Sequence, residues 1–128
     1  MAVFENTQKM YQVLGELFNN LLNDPTAGPK FRDSKIIIKF TIDAPSGAIW
    51  LTPDQGVTCG DLSLAPSIEM ILDGDTCHKF WLKEISMTVA LAKGLIKAKG
   101  SLPKVLKLLP LLKPAYAAYP EIAKRYGL

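Results

Sequence analysis

The segment KGLIKAKGSLPKVLKLLPLLKP, residues 93–114, decides how this chain is read. Nine of its twenty-two residues are Leu, Ile or Val, six are Lys, three are Pro and none is acidic. In its first part Ile96 and Ala98 alternate with Lys97 and Lys99, the period of a strand with an apolar inner face and a basic outer one. After Gly100 the spacing becomes helical. Ser101 suits an N-cap, and Pro103 falls in the first turn, where a missing N–H is harmless. Leu102, Val105, Leu106, Leu109 and Leu112 occupy a broad apolar face, widened by Leu108, with Lys104 and Lys107 opposite. Pro110 removes a backbone donor and kinks or ends the helix. A stretch of this kind fits three settings: a membrane surface, a nucleic-acid backbone, or the lid over an apolar ligand.

Upstream, DGDTCHKFWLKEI (residues 73–85) also has a helical period, with Asp73 or Asp75 as cap and Cys77, Phe80 and Trp81 on one face. SMTVALAKG (86–94) continues it through Met87, Ala90 and Leu91, and Gly94 makes a C-terminal stop. Before these lie strands. PSIEMILD (66–73) sets Ile68, Met70 and Leu72 on one face; QGVTCGD (55–61) is a short strand between glycine-marked turns. SKIIIKFTIDAPSGAIWLTP (34–53) reads as strand, turn and strand, with Ile36, Ile38, Phe40 and Ile42 facing one way and Trp50 opposite Ile49 and Leu51. The first element is a helix whose stripe holds Met10, Val13, Leu14, Leu17, Phe18, Leu21 and Leu22. Asn6 or Thr7 caps it, and Asp24-Pro25 ends it. At the far end, Pro114 and Pro120 each begin a short helical turn, and Gly127 closes the last one.

A chain of 128 residues with 48% apolar and 21% charged residues has an ordinary globular composition and room for one core. No uncharged run approaches the ~20 apolar residues of a membrane span. The opening MAVFENTQKM carries Glu5 and no apolar signal core, so the expected compartment is the cytoplasm. Cys59 and Cys77 stand eighteen residues apart with no second pair, and are expected to be reduced thiols. The net charge of +3 is unevenly spread: residues 1–78 hold 5 basic and 10 acidic side chains, residues 79–128 hold 10 basic and only Glu84 and Glu121. A basic half attracts anionic groups.

Motifs for covalent chemistry are missing. Neither a G-x-S-x-G elbow nor a phosphate loop is present. His78, the only histidine, is adjacent to Cys77, and side chains about 100° apart on a helix do not easily chelate one ion. His78 is expected to face solvent or to cap. No catalytic residue, metal or cofactor is expected. Nucleic acid is not the expected partner either, because Tyr116, Tyr119 and Tyr126 stand apart from the lysine cluster and supply no stacking platform.

The order of elements resembles the sterol carrier protein type 2 family. Three segments carry the resemblance: KIIIKFTIDAPSGAIWLT is similar to the family's opening hairpin, APSIEMILDGDTCHKFWLKE to its strand leading into a capped helix, and ALAKGLIKAKGSLPKVLKLL to its lysine-bearing strand and following helix. They span roughly residues 8 to 112. Leu95 stands where the family often has Lys or Arg, and Ala98 where a larger aliphatic residue is usual. The resemblance implies an α+β domain, a five-stranded, mostly antiparallel sheet with helices enclosing an apolar tunnel. The length points to a single domain over 1–128, and the segment 110–128 reads as an added C-terminal helical cap whose position the resemblance does not supply. The resemblance further implies non-enzymatic binding or transfer of a lipid-like ligand: a fatty acid, acyl-coenzyme A, phospholipid or sterol-like molecule. Phe80, Trp81, Met87, Leu91, Leu102, Val105, Leu106 and Leu109 are then the expected ligand contacts. Lys97, Lys99, Lys104 and Lys107 are expected at a head group or a transient anionic membrane surface. Two other roles fit the same residues: a peripheral membrane module using residues 101–114, and an accessory domain presenting lipids to a partner enzyme.

Overall fold

The computed structural model describes residues 2–100 and 102–128, with the side chains of Leu102 and Val105 excepted. The proposed cap at Ser101 lies outside the described residues. Helix α1 (Thr7–Leu22) begins where Asn6 Oδ1 accepts from the Lys9 amide at 2.8 Å. It buries the stripe from Met10 to Leu22 read from its spacing. Helix α2 (Ala27–Ser34) follows at once and was not legible, since Gly28 and Pro29 read as breakers and Phe31 is its one large apolar anchor. Two amides at its start, of Thr26 and Ala27, donate to Asp24 Oδ2. Gly28 is required there: a Cβ would meet the Leu22 carbonyl oxygen at 2.1 Å.

Five strands form one sheet: β1 (Ile38–Asp43), β2 (Gly47–Thr52), β3 (Gly56–Cys59), β4 (Ile68–Asp73) and β5 (Lys97–Gly100). Their spatial order is β3-β2-β1-β4-β5, and only the β1–β4 pair is parallel. The sheet is therefore mixed and mostly antiparallel, and the fold is α+β. Alternation places Ile38, Phe40, Ile42, Ile49, Leu51, Ile68, Met70 and Leu72 on the inner face, all buried. Phe18 of α1 stacks on Phe40 with ring centroids 4.9 Å apart, which joins the helical layer to the sheet. Trp50 points to the outer face yet is 1% exposed, with Lys39 Nζ 5.2 Å from its ring and Asp61 paired to that lysine at 3.7 Å.

Helices α3 (Gly74–Trp81) and α4 (Met87–Ala92) connect β4 to β5. Asp73 caps α3 by accepting from the Thr76 amide at 2.7 Å, and Asp75 instead accepts from the amide of Val3. Ser86 caps α4. Strand β5 ends at Gly100, whose φ of +118° and whose missing side chain are both needed: a Cβ would lie 2.4 Å from the Ser67 carbonyl oxygen. Helix α5 (Leu102–Leu108) stops just before Pro110, which sits in a 3₁₀ turn (Leu109–Leu112), the break its missing N–H demands. Helix α6 (Lys113–Arg125) then runs unbroken through Pro120, where two short turns were expected. It survives a proline because its buried face, Ala115, Tyr119, Ile122 and Ala123, packs on the body of the protein. Its contacts fall chiefly on α1, and also on the 3₁₀ turn and α3.

Candidate functional site

Between the sheet and the helices lies a cavity of about 20 Å³, walled by apolar side chains. The sheet supplies Ile38, Phe40, Met70 and Leu72; α3 supplies Cys77, Phe80 and Trp81. Met87 of α4, Ile96 beside β5, and Leu108 and Leu112 complete it. Side chains on α3 reach the cavity because positions 77, 80 and 81 share one helical face. Phe80 and Trp81 meet edge-on at 4.9 Å, and Tyr116 of α6 packs on both rings at 5.4 and 5.5 Å. The volume holds about one water-sized sphere. Pockets for organic ligands run to about 300–1,000 Å³.

Of the expected ligand contacts, Phe80, Trp81 and Met87 border this cavity. Leu91 is half-buried on α4 and is not part of the wall. Leu102 and Val105 belong to α5, but their side chains lie outside the described residues. Leu106 is 54% exposed, on the outer side of α5, while Leu108 is turned inward. Two positions on a helix differ by about 200°, so the inward Leu108 sends Leu106 out. Leu109 is half-buried and borders a surface depression of about 350 Å³ with Lys83, Ile85, Ser86, Met87, Thr88 and Tyr116. The sheet contributors were legible as strand faces but not as a site; Leu112 was legible as part of the apolar helix face and Leu108 as widening it, neither as a wall of the cavity.

The four lysines are exposed but do not converge. Lys97 and Lys99 point to the outer face of the sheet, in register with Ile71 and Glu69 of β4. The two-residue period that puts Ile96 and Ala98 inside forces this, and it carries both lysines away from the cavity. Lys104 and Lys107 stand on the solvent side of α5.

Burial perturbs several titratable groups near the cavity, Cys77 and His78 among them. Burial pushes the Cys77 thiol up to about 12, against a small opposing effect of the Trp81 indole and with the Asp73 charge adding to it. It is a neutral thiol at physiological pH, not a thiolate nucleophile. His78 is half-buried, and its Nδ1 and the Tyr119 hydroxyl share a hydrogen bond of 2.7 Å. Burial lowers its pKa, opposed by the charges of Glu84 and Asp75. Spacing could not reveal this pair, because its members are separated by 41 residues. Among the described residues no cluster of three or more His, Cys, Asp or Glu side chains is placed to hold a metal ion.

No protein-family model matches the chain, and no curated relative does. Solved structures match its fold. The sterol carrier protein domain 2 of Helicoverpa armigera superposes with a TM-score of 0.68 at 16% identity, over 84% of this chain and 88% of that one. Sterol carrier protein 2 from Yarrowia lipolytica, in its apo form, gives 0.64 at 17% identity, over 84% and 92%. Palmitated SCP2L2 from Aedes aegypti gives 0.61 at 16% identity, over 80% and 92%. The chain has the fold of the sterol carrier protein 2 domains.

Proposed function

We propose that the protein binds a lipid-like molecule non-covalently and carries it unchanged, its apolar chain lying between the sheet and α3. The observation that carries this reading is the cavity: it is apolar throughout, and one of its walls, Leu108 and Leu112, belongs to the α5–3₁₀ segment. A chain entering there would displace that wall and replace its contacts. Each methylene it buries contributes about 0.8 kcal/mol, so affinity needs no dense set of polar contacts. The palmitated Aedes protein of the same fold supports an acyl chain as occupant. The neutral Cys77 thiol supports carriage over covalent chemistry. In this reading residues 110–128 act as a cap, with Leu112 closing the cavity and Tyr116 backing the rings of Phe80 and Trp81.

The test is titration with parinaric acid, a fluorescent fatty acid, followed by organic extraction. Saturable uptake at one molecule per chain, with the acid recovered unaltered, is the expected result. No saturable uptake sinks the proposal.

A second reading has its own observation. Leu106 is exposed between Lys104 and Lys107, and no acidic residue occurs between Glu84 and Glu121. Such a surface suits the interface of an anionic bilayer. The protein would then float with phosphatidylglycerol vesicles at low salt and not with phosphatidylcholine vesicles, and Leu106→Asp would abolish flotation. Flotation unchanged in Leu106→Asp removes this reading without touching the first.

A further inference from the structure

The cavity and the depression beside it share one residue. Met87 borders both: the enclosed space on its inner side, and the open depression with Lys83, Ser86, Thr88, Leu109 and Tyr116 on its outer side. A methionine has three rotatable bonds and an adaptable thioether, so it is the kind of side chain that can shift between two such spaces. The volume outside Met87 is about 350 Å³, against about 20 Å³ within. A long molecule therefore has more room outside Met87 than within, and Met87 is the residue that the two linings share.

The outer space is chemically unlike the inner one. Lys83 Nζ stands 5.5 Å from the centre of the Tyr116 ring, held over the depression by that aromatic face. Among the described residues no carboxylate lies within ion-pair distance of Lys83. Its neighbour Glu84 borders a different groove, with Lys79 and Lys93. Burial raises the Tyr116 hydroxyl to about 12, so it is protonated and able to donate at neutral pH. Ser86 accepts the Val89 amide and keeps its own hydrogen to give, and the Thr88 hydroxyl is exposed at the same rim. Lys83 and the hydroxyl-bearing Ser86, Thr88 and Tyr116 thus border the outer space beside the apolar Ile85 and Leu109, whereas the inner space is wholly apolar.

We infer that this depression is the mouth of the site, that Met87 is its gate, and that Lys83 holds the anionic head group of the ligand there. The inference rests on the lipid-binding reading above and specifies its substrate class: a long apolar chain ending in a single anionic group, a carboxylate or a phosphate ester. It moves the head-group contact away from Lys97 and Lys99, which the sheet turns outward, to a lysine the sequence spacing did not single out.

Matched probes test it on the full chain. Parinaric acid, parinaric acid methyl ester and a parinaroyl lysophosphatidic acid are titrated into the unaltered protein, Lys83→Met and Lys83→Glu. The unaltered protein should prefer the acid to the ester by about threefold to fivefold, the range of an exposed ion pair, and 0.5 M salt should narrow the gap. Lys83→Met should erase that preference and Lys83→Glu reverse it, with ester affinity the same in all three proteins. Tighter binding of the phosphate probe than of the acid identifies a phosphate ester as the natural head, and the reverse order identifies a carboxylate. Equal affinity for acid and ester in the unaltered protein, or a preference that survives Lys83→Glu, overturns the inference. Failure of all three probes to bind overturns the lipid-binding reading instead. Gating is read separately by stopped flow: Met87→Leu, which keeps volume but stiffens the chain, should slow association of the ester several-fold at little cost in affinity. An unchanged association rate removes Met87 as the gate.

Discussion

Where α6 meets α1 and α3, polar side chains fasten the packing. Arg125 and Tyr126 both reach the carboxylate of Glu16, and His78 meets Tyr119. Where α5 and the 3₁₀ turn meet the sheet, the chain is held differently: among the described residues, positions 90–118 make no side-chain hydrogen bond or ion pair, and Leu108 and Leu112 supply the grip. The difference bears directly on exchange. An apolar contact given up to a ligand's hydrocarbon is replaced in kind, at little net cost. A buried hydrogen bond given up is not, because its donor or acceptor is left without water or partner at about 1–3 kcal/mol. In the lipid-binding reading proposed above, the polar end anchors the cap and the apolar end yields to a guest.

Substitutions can break this contrast. The largest effect is expected from Tyr119→Ala, which removes a fully buried ring and orphans His78 Nδ1; about 3–5 kcal/mol of unfolding free energy should be lost in urea titrations. Leu112→Ala at the apolar end should cost less, about 2 kcal/mol, because the wall can settle into the space, and it should change parinaric acid uptake, which Tyr119→Ala should not do at temperatures where it is folded. Equal costs with no change in uptake would erase the distinction between the two ends.

A pH series sharpens the polar end. Burial holds His78 below its ordinary 6.5 in the folded protein, so between the two values the unfolded chain binds more protons. The stabilisation is fully present above 6.5 and is lost as pH falls through the folded value. The urea midpoint should therefore drop between pH 7.5 and 5, and His78→Gln should flatten that drop. The smallest effect is expected at Glu16. Its pKa is lowered chiefly by the Arg125 hydrogen bond, so its contribution is present above 4.5 and fades only at more acid pH. Because the pair is exposed, Glu16→Gln at pH 7 should shift stability by less than about 1 kcal/mol.

What could be read from the sequence divides along the same line as the forces. Strands β1, β2, β4 and β5 were legible because two-residue alternation from Ile36 to Ala98 survives in any packing, and β3 because glycine-marked turns bound it. The cap of α3 was legible because Asp73 acts on an amide three residues away. Helix α2 was not, since one Phe31 among Gly, Pro and charged residues makes no period. The continuity of α6 across Pro120 was hidden because its cause is burial of Tyr119 and Ile122, a tertiary effect. At the candidate site the facing of α5 was hidden for a related reason. With apolar residues at 106, 108 and 109, the polar side formed by Lys104 and Lys107 is too narrow to settle the rotation, and contact with the sheet turned Leu108 inward and Leu106 out. Lys83 escaped notice because its significance comes from Tyr116, thirty-three residues later, leaning under its ammonium group.

The glycine at the end of β5 adds a mechanical consequence. Gly100 is paired with Ile68 of β4 and leaves no room for a side chain against the Ser67 carbonyl. A displacement of α5 then turns about a point that the sheet holds still. Such a fixed fulcrum keeps torque off the strand, so β5 need not peel from β4 when the wall swings away. In the lipid-binding reading proposed above, the work of opening then falls on Leu108, Leu112 and Met87, and is not passed to the sheet that bears the inner half of the cavity.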